Sequence, residues 1–447
     1  MDDRLSAFAP DEAIVRPLVK TSRRFWGVAA VLLTLYLIGM VAWFIQLRDG
    51  LQVTGLNVPV FWGIYITNFV FFIGISHAGT LISAILRLAH AEWRRPITRA
   101  AEVITVLVLF FGAGNIILDL GRPDRAFNVF LHPNFRSPLM WDVVAISMYL
   151  MASALYLYLP LIPDMALLRD GLTRRRWFYR ILAIGWTGSE RQRRILERMI
   201  SIMAVLVIPI AVSVHTVVSW VFAMTVQPMW HSAIFGPYFV AGAIFSGIAG
   251  LIIFMAIIRY AYGLEGYLKR VHFNNLGLLL LTMSLIWFYF TFGEFLTTYY
   301  GAAPEHMTIF WAKVTGPYAP LFWSMVVLCF VIPFAILAPY RTRTVAGTVV
   351  ASVSVSIGMW IERYTIVVPS LARPRLPLAT GVYTPSLVEV LLTISFLSGF
   401  TLLYLMFTKF FPIISIWEIQ EGREHSLSEV EERVRTYLPE APDAAKG

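Results

Sequence analysis

Ionisable side chains inside long apolar stretches are the residues of this sequence that could do chemistry. Such groups are costly to bury, so they usually face a partner or a water-filled cavity. Histidines and carboxylates also exchange protons readily near neutral pH. Most of the positions concerned fall toward one end of their stretch, so the pattern predicts proton-coupled chemistry close to the outer face of a membrane. The set comprises His77, Glu102, Asp119, Asp142, His215, Glu294, Glu362 and Glu389.

The composition sets the class of protein. Of 447 residues, 58% are hydrophobic and only 14% are charged, whereas a soluble domain carries about a quarter charged residues. The single cysteine, Cys329, excludes a disulfide framework, and one thiol cannot hold an iron–sulfur cluster or a cysteine zinc site. We therefore expect an all-α integral membrane protein with no redox metal of its own.

About ten transmembrane helices are predicted to position these residues. A spanning helix needs about 20 mostly apolar residues, and tryptophan and tyrosine cluster at the ends of the predicted spans, as expected at membrane surfaces. The predicted spans are 25–47, 59–89, 98–118, 138–160, 198–224, 234–262, 275–299, 317–338, 344–368 and 384–411.

The placement of lysine and arginine predicts the orientation. With the N-terminus inside, the inner connections and tails hold 28 of the 36 basic residues, as the positive-inside rule requires. The net charge of +9 is thereby explained without nucleic acid. We expect a multi-pass protein of the bacterial cytoplasmic membrane with both termini cytoplasmic.

A weak internal repeat predicts how the helices group. Residues 59–62 resemble 237–239, and residues 138–141 resemble 320–323. The two pairs have similar offsets, which favours two four-helix bundles in parallel with one flanking helix at each end. The alternative is that proline and aromatic residues simply recur at outer helix ends. The predicted segments are 1–24 (cytoplasmic), 25–47 (flanking helix), 59–224 (first bundle, with the basic loop 161–197), 234–368 (second bundle), 384–411 (flanking helix) and 412–447 (cytoplasmic tail).

Each candidate site residue also has a purely structural interpretation. His77 and His215 could each make one interhelical hydrogen bond. Arg122 could pair with Asp119, Asp124 or Asp142 at a helix end, and Asp142 could favour a helix N-terminus. At 1.5 Å per residue, His77 and His215 are predicted to differ in depth by roughly 13 Å. They should therefore not ligate one haem.

An apolar bundle with protonatable groups and no metal suits a quinone. The ring and tail need an apolar slot, the two oxygens need hydrogen-bond partners, and oxidation of a quinol needs a base. A secondary transporter would use the same ingredients, but paired interruptions by glycine or proline at matching repeat positions are not evident.

Several motifs together resemble the NrfD-like, polysulfide-reductase family of membrane subunits, and most closely the large membrane subunits of bacterial alternative complex III. The likeness covers nearly the whole chain. The motifs are Phe61–Tyr65, Ser76–Ala84, Leu118–Pro123, Pro133–Val143, Ile162–Asp164, Ser213–His215 and Trp230–Phe239.

The resemblance implies a subunit that binds and oxidises menaquinol, leaving menaquinone, near the outer face. Iron–sulfur and c-type cytochrome subunits would dock there and supply the metal centres, beside a paralogous membrane subunit. It implies that His77, Asp119 and Asp142 are catalytic and that Arg122 and His215 complete the quinol pocket. Glu102 and Glu294 are predicted to lie on a proton path. The alternative is a paralogous structural, proton-conducting subunit without its own quinol site.

Overall fold

The computed structural model describes residue 8 and residues 11–172, 175–376 and 378–424, and these residues form helices and connections without any strand. Ten helices are long and apolar enough to span a membrane, which confirms the predicted fold class and count. These ten spanning helices are α1 (Arg23–Asp49), α2 (Ile64–Leu88), α3 (Thr98–Asp119), α4 (Pro138–Gly171), α5 (Glu190–Ala223), α6 (Phe235–Tyr262), α7 (Arg270–Gly301), α8 (Ala319–Leu337), α9 (Val345–Ala372) and α10 (Leu387–Phe410). Most of the predicted segment 1–24 is described, but the predicted tail lies outside the described residues from 425 onward.

Local signals explain where several helices begin. Ser22 accepts a hydrogen bond from the Phe25 amide at 3.2 Å and caps α1. At α10, Ser386 and Glu389 form a reciprocal capping box. Glu389, one of the predicted outer carboxylates, therefore serves a helix cap, where it also accepts a hydrogen bond from the Tyr383 hydroxyl at 2.6 Å.

Several helix ends differ from the predicted spans, including ends of α2, α4 and α5. α2 begins at Ile64, because residues 59–63 are not helical. α4 continues to Gly171 through Pro160 and Pro163, since neighbouring groups in a membrane protein can satisfy the backbone that proline leaves open. α5 already begins at Glu190, with Ser189 as its cap. The connection predicted at 161–197 is therefore much shorter.

The helices pack as two groups with a shared wall. α2, α3, α4 and α5 contact one another (the first group), as do α6, α7, α8 and α9 (the second group), while α2 and α5 lie against α6. α1 and α10 pack together and α10 also contacts α3.

We call the side with the start of α1 and the end of α10 the terminal side, and the other the opposite side. The charge distribution predicts that the opposite side is the outer one.

Residues 412–424, the C-terminal strap, fold back over the terminal end of the first group. The fully buried Asp164 of α4 forms an ion pair with the equally buried Arg99 of α3. The same carboxylate accepts hydrogen bonds from the amides of Ile416 (3.1 Å) and Trp417 (3.0 Å) in the strap. A buried charge pair needs such additional hydrogen bonds to offset its desolvation. The strap thus fixes α3 to α4.

Glu418 extends this clamp toward α2. Its carboxylate is buried and pairs with Arg87, and it lies 3.6 Å from Arg94. It also accepts a hydrogen bond from the Thr98 hydroxyl at 3.2 Å, at the start of α3. One residue of the strap therefore ties together the terminal ends of α2 and α3.

We predict that Asp164→Asn destabilises the protein strongly while Asp170→Asn does not. Removing one charge of a buried pair leaves the other uncompensated, at a cost of about 3–5 kcal/mol. Asp170 lies on the same helix but pairs with Arg169 at the surface, with 62% of its side chain exposed, and such pairs contribute about 0–1 kcal/mol. Thermal unfolding in detergent measures the difference, and equal midpoints for the two variants would contradict the assignment.

Candidate functional site

His77 of α2 and His215 of α5 meet at the centre of the molecule. Both are buried, and their ring centroids lie 3.8 Å apart at an angle of 72°. The Ala211 carbonyl faces both rings, yet among the described residues none of the four ring nitrogens has a hydrogen-bond partner of normal geometry. Buried polar atoms are rarely left unpaired unless a water, an ion or a function accounts for them.

The contact overturns the predicted depth difference between the two histidines. That estimate of roughly 13 Å assumed an ideal rise along helices whose outer ends lie level. α2 instead begins at Ile64, five residues later than predicted and after a non-helical segment, so the depth of His77 was overestimated. Rings whose centroids lie 3.8 Å apart also leave no room for a flat macrocycle between them.

Close helix packing puts His77 in this position. A Cβ placed on Gly247 of α6 would lie 2.6 Å from the Ala78 amide nitrogen and 3.2 Å from the His77 carbonyl carbon. On the other side of α2, a Cβ on Gly79 would lie 1.9 Å from the Ala101 carbonyl oxygen of α3. Glycines at these two crossings let three backbones approach closely.

A column of polar side chains on α4 runs alongside α2. Asp142, Tyr149 and Tyr156 are spaced seven residues apart, which places them on one face of α4 at intervals of about 10.5 Å. The Tyr149 hydroxyl donates to the Ser76 carbonyl at 3.0 Å, and its ring centroid lies 5.7 Å from that of His77. The Tyr156 hydroxyl lies 3.4 Å from the Ser83 hydroxyl. We call these three residues the α4 column.

Glu102 lies at the terminal end of this column. It is buried and accepts a hydrogen bond from the Ser83 hydroxyl at 2.8 Å. Thr98, one helical turn earlier on α3, donates to Glu418 of the strap. Glu102 thus lies between the α4 column and the strap, and its place on a proton path stays a prediction.

Asp142 and Asp119 lie at the opposite end of the first group. Asp142 begins the α4 column; it is buried, and its Oδ1 atom has no hydrogen-bond partner in the described part of the chain. Asp119 ends α3 and is half-buried, and its Oδ1 atom is unpartnered in the same sense. Its carboxylate is close enough to Tyr65 and Glu389 to interact electrostatically with both. The two aspartates thus lie at the end of the first group that is farther from the strap.

Arg122 lies apart from these groups. Its side chain is 64% exposed and forms an ion pair with Asp124 at 3.2 Å. Of the three partners expected for it, the structure selects Asp124 rather than Asp119 or Asp142. Its place in a quinol pocket stays a prediction.

Arg363 of α9 is a buried charge that the sequence reasoning missed. Its Nη1 atom lies 2.9 Å from Glu362 Oε2, and both side chains are 1% exposed. The guanidinium lies 5.1 Å from the Phe239 ring centroid and close enough to His215 to interact electrostatically. The sequence does carry a signal for it, because an arginine inside the predicted span 344–368 is unusual. It was missed since the set of candidate residues contained only histidines and carboxylates.

Glu294 belongs to a separate cluster in the second group. It lines a cavity of ≈ 40 Å³ together with Lys313 and Glu362, between α6, α7 and α9. Lys313, in the connection between α7 and α8, is buried, and burial lowers its pKa to about 8 although Glu294 and Glu362 act in the other direction. The cavity has room for about one water molecule, which could bridge these charges.

Within the described ranges, no three histidine, cysteine or acidic side chains converge as metal ligands would. The site is therefore described by protonatable groups, in two clusters joined through His215 and Arg363.

We predict that Gly247→Ala disturbs this centre while Gly293→Ala is tolerated. The added methyl group would press on the backbone of α2 at Ala78, whereas a Cβ on Gly293 of α7 meets nothing within 4 Å. Overpacking of this kind costs about 1–3 kcal/mol. Thermal unfolding in detergent measures the effect, and an unchanged midpoint for Gly247→Ala would show that α2 and α6 are not in close contact.

The fold and the site together define a polytopic membrane protein whose protonatable groups are buried between two groups of four helices. Residues 52–375 match the family described as polysulphide reductase, NrfD. The match covers well over half of the chain, so the protein belongs to the NrfD family of membrane subunits, as the motifs predicted.

Relatives of known description span nearly the same length. A Halobacterium salinarum protein, provisionally described as a membrane subunit of dimethyl sulfoxide reductase, is 28% identical over 90% of this chain and 95% of its own. A selenate reductase subunit of Mesobacillus selenatarsenatis is 23% identical over 80% and 84%. The Hdr-like menaquinol oxidoreductase integral membrane subunit of Archaeoglobus fulgidus is 22% identical over 90% and 96%.

Proposed function

We propose that this chain is the membrane subunit of a quinol oxidoreductase complex, in which it binds menaquinol and removes its protons. The observation that carries the proposal is the set of protonatable groups with unpartnered atoms in the first group. It comprises Asp119 and Asp142 at the opposite end and the central His77–His215 pair, whose ring nitrogens have no hydrogen-bond partner of normal geometry among the described residues. Support also comes from the Archaeoglobus relative, which is described as a menaquinol oxidoreductase subunit and matches along 96% of its length. The other two relatives are described as reductase subunits.

The opposite end of α3 suits a quinol better than the centre does. The touching rings of His77 and His215 leave no space for a quinone ring between them. Asp119, by contrast, is a half-buried residue at this end, and its carboxylate could accept a hydrogen bond from a quinol hydroxyl. Ile117 and Leu120 beside it are 40% and 46% exposed and offer an apolar surface to a ring.

Different residues of the first group would carry out different steps of quinol oxidation. Oxidation of a quinol to a quinone releases two electrons and two protons, and the bound quinol supplies both. Asp119 would take a proton from the quinol hydroxyl, acting as general base. Asp142, the α4 column and the histidine pair would hold or pass protons inside the first group. The electrons would leave to an iron–sulfur subunit on the predicted outer side.

The motif resemblance supports a more specific assignment to an alternative complex III. In that assembly the chain would lie beside a paralogous membrane subunit, with iron–sulfur and c-type cytochrome subunits on the outer face. Both termini would be cytoplasmic in a bacterial inner membrane. Haem and iron–sulfur clusters would then belong to the partner subunits and not to this chain.

A second candidate function is proton conduction without a quinol site of its own. The observation in its favour is the hydrogen-bonded route from Glu102 through Ser83 to Tyr156, continued along the α4 column toward Asp142. Glu102, Glu294 and Lys313 would then matter more than Asp119.

We predict that Asp119→Asn lowers quinol oxidation by the purified complex about 100-fold, the lower range for loss of a general base. His77→Gln should also lower the rate, because it removes a protonatable ring from the centre. His90→Asn serves as the control, since His90 is exposed on the terminal side and its φ of 51° suits asparagine. Turnover with a menaquinol analogue and the content of extracted quinone are measured together. Unchanged rates and quinone content in both variants would refute the quinol site.

We predict a different result for Glu102→Gln if protons cross the first group. Quinol oxidation in uncoupled vesicles should continue near the wild-type rate. In sealed vesicles without uncoupler, the number of protons moved across the membrane per electron should fall. Glu190→Gln is the matched control, because Glu190 is an exposed residue at the terminal end of α5. A normal proton ratio in Glu102→Gln would rule out this route; a normal ratio with lost oxidation would place Glu102 in the quinol chemistry instead.

A further inference from the structure

An open cavity of ≈ 470 Å³ lies on the terminal side, where the start of α1 meets the ends of α6 and α10. It is remote from the protonatable centre and plays no part in the proposed quinol chemistry. Three cationic residues line it, Arg16, Lys20 and Lys409, and no carboxylate is among its described lining residues. The cavity therefore has the charge and the size to receive an anionic group larger than a single ion.

Lys409 is placed to bind such a group. Only 8% of the residue is exposed, and its Nζ atom donates to the Pro17 carbonyl at 2.8 Å and, more weakly, to the Lys20 carbonyl at 3.3 Å. An ammonium group has three donors, and the Nζ atom also lies 4.3 Å from the Phe25 ring centroid. Among the described residues, no carboxylate forms an ion pair with Lys409 or with Arg16. A buried lysine without a counter-ion favours binding of an anion.

The start of α1 adds to the positive potential. The first-turn amides of a helix carry a partial positive charge and bind anions. Ser22 caps only one of them, the amide of Phe25. This helix end lies in the cavity wall beside Lys20, so its field acts in the same direction as the three cations.

The surroundings of the cavity indicate a lipid rather than a free anion. α1 is largely exposed, and its buried residues are Ala29, Gly39, Ala42 and Gln46. Trp26 and Val28, just beyond the cavity, are 60% and 53% exposed. On α6, Ile257 is 50% exposed close to the same end. Acyl chains could lie along these apolar surfaces while the headgroup occupies the cavity, and tryptophan is common at this depth of a bilayer.

We infer that this cavity binds the headgroup of an anionic phospholipid, with Lys409, Lys20 and Arg16 around the phosphate. Basic pockets between spanning helices are known to bind anionic lipid headgroups. Bound lipid would fasten α1 and α10 to the end of α6, three helices that meet at this cavity.

A second basic cavity on the same side provides a matched control. It has a volume of ≈ 520 Å³ and is lined by Arg169, Arg176, Trp177 and Arg180. Its Arg169 already pairs with Asp170 at 2.7 Å, and no lysine is among these lining residues. If binding depended only on basic residues near the membrane, both cavities would behave alike.

The experiment uses the purified, delipidated complex with added phosphatidylglycerol, phosphatidylcholine or inorganic phosphate. We expect phosphatidylglycerol to raise the unfolding temperature, because a ligand that binds only the folded state stabilises it. Arg16→Gln/Lys20→Gln should weaken the apparent affinity about tenfold or more. Arg176→Gln/Arg180→Gln should leave it unchanged, and Arg16→Lys/Lys20→Arg should restore it.

Three outcomes would overturn the inference. Equal stabilisation by phosphatidylcholine would remove the role of the headgroup charge. Equal stabilisation by inorganic phosphate would show an anion site without lipid specificity. An equal loss in the two glutamine double variants would show general surface attraction. Because Arg16 and Lys20 are exposed, their substitution leaves the packed helices intact, and quinol oxidation provides an independent check of folding.

Discussion

The close approach of α6 to α2 at Gly247 is the constraint on which the rest of the structure depends. It brings two backbones to a separation that no side chain would permit, and it fixes the face that α2 turns toward α5. His77 meets His215 as a result, and Arg363 occupies the remaining gap, with its Nη2 atom 2.7 Å from where a Cβ on Gly242 would lie. In a bilayer, where water contributes no hydrophobic force between helices, such small-residue contacts supply much of the packing.

The two groups of helices therefore share one polar interior. On one side of the glycine contact lie the α4 column and Glu102; on the other lie Glu362, Glu294 and Lys313. His215 and Arg363 form the junction between them. Charges this deep are stable only because the surrounding helices supply partners or exclude lipid, so the same residues that suit proton chemistry also limit how far the helices can move.

Much of this arrangement could be predicted from the sequence. Hydropathy alone predicted the ten spans. Six of the eight histidines and carboxylates singled out inside them are buried and Asp119 and Glu294 are partly so, whereas Arg122 of the predicted site is exposed. The depth of each side chain along its helix was harder to predict. Because residues 59–63 are not helical, α2 begins later than predicted, and the His77–His215 contact was missed. The C-terminal strap was also missed, because its burial depends on partners more than 240 residues away, such as Asp164. The spacing of seven residues between Tyr149 and Tyr156 is visible in the sequence. Two tyrosines on an apolar helix face do not by themselves indicate a polar column, because their partners Ser76 and Ser83 lie on another helix.

The strap has a consequence for how the protein is made. Asp164 and Arg99 enter the membrane early during synthesis, whereas Ile416 and Trp417, which complete their hydrogen bonds, leave the ribosome much later. Domains generally fold in order from the N-terminus, yet here the first four-helix group keeps an incomplete charged end until all ten spanning helices have been translated. A chain that terminates before residue 416 would thus keep the buried Asp164 carboxylate in its fourth spanning helix without two of its hydrogen bonds.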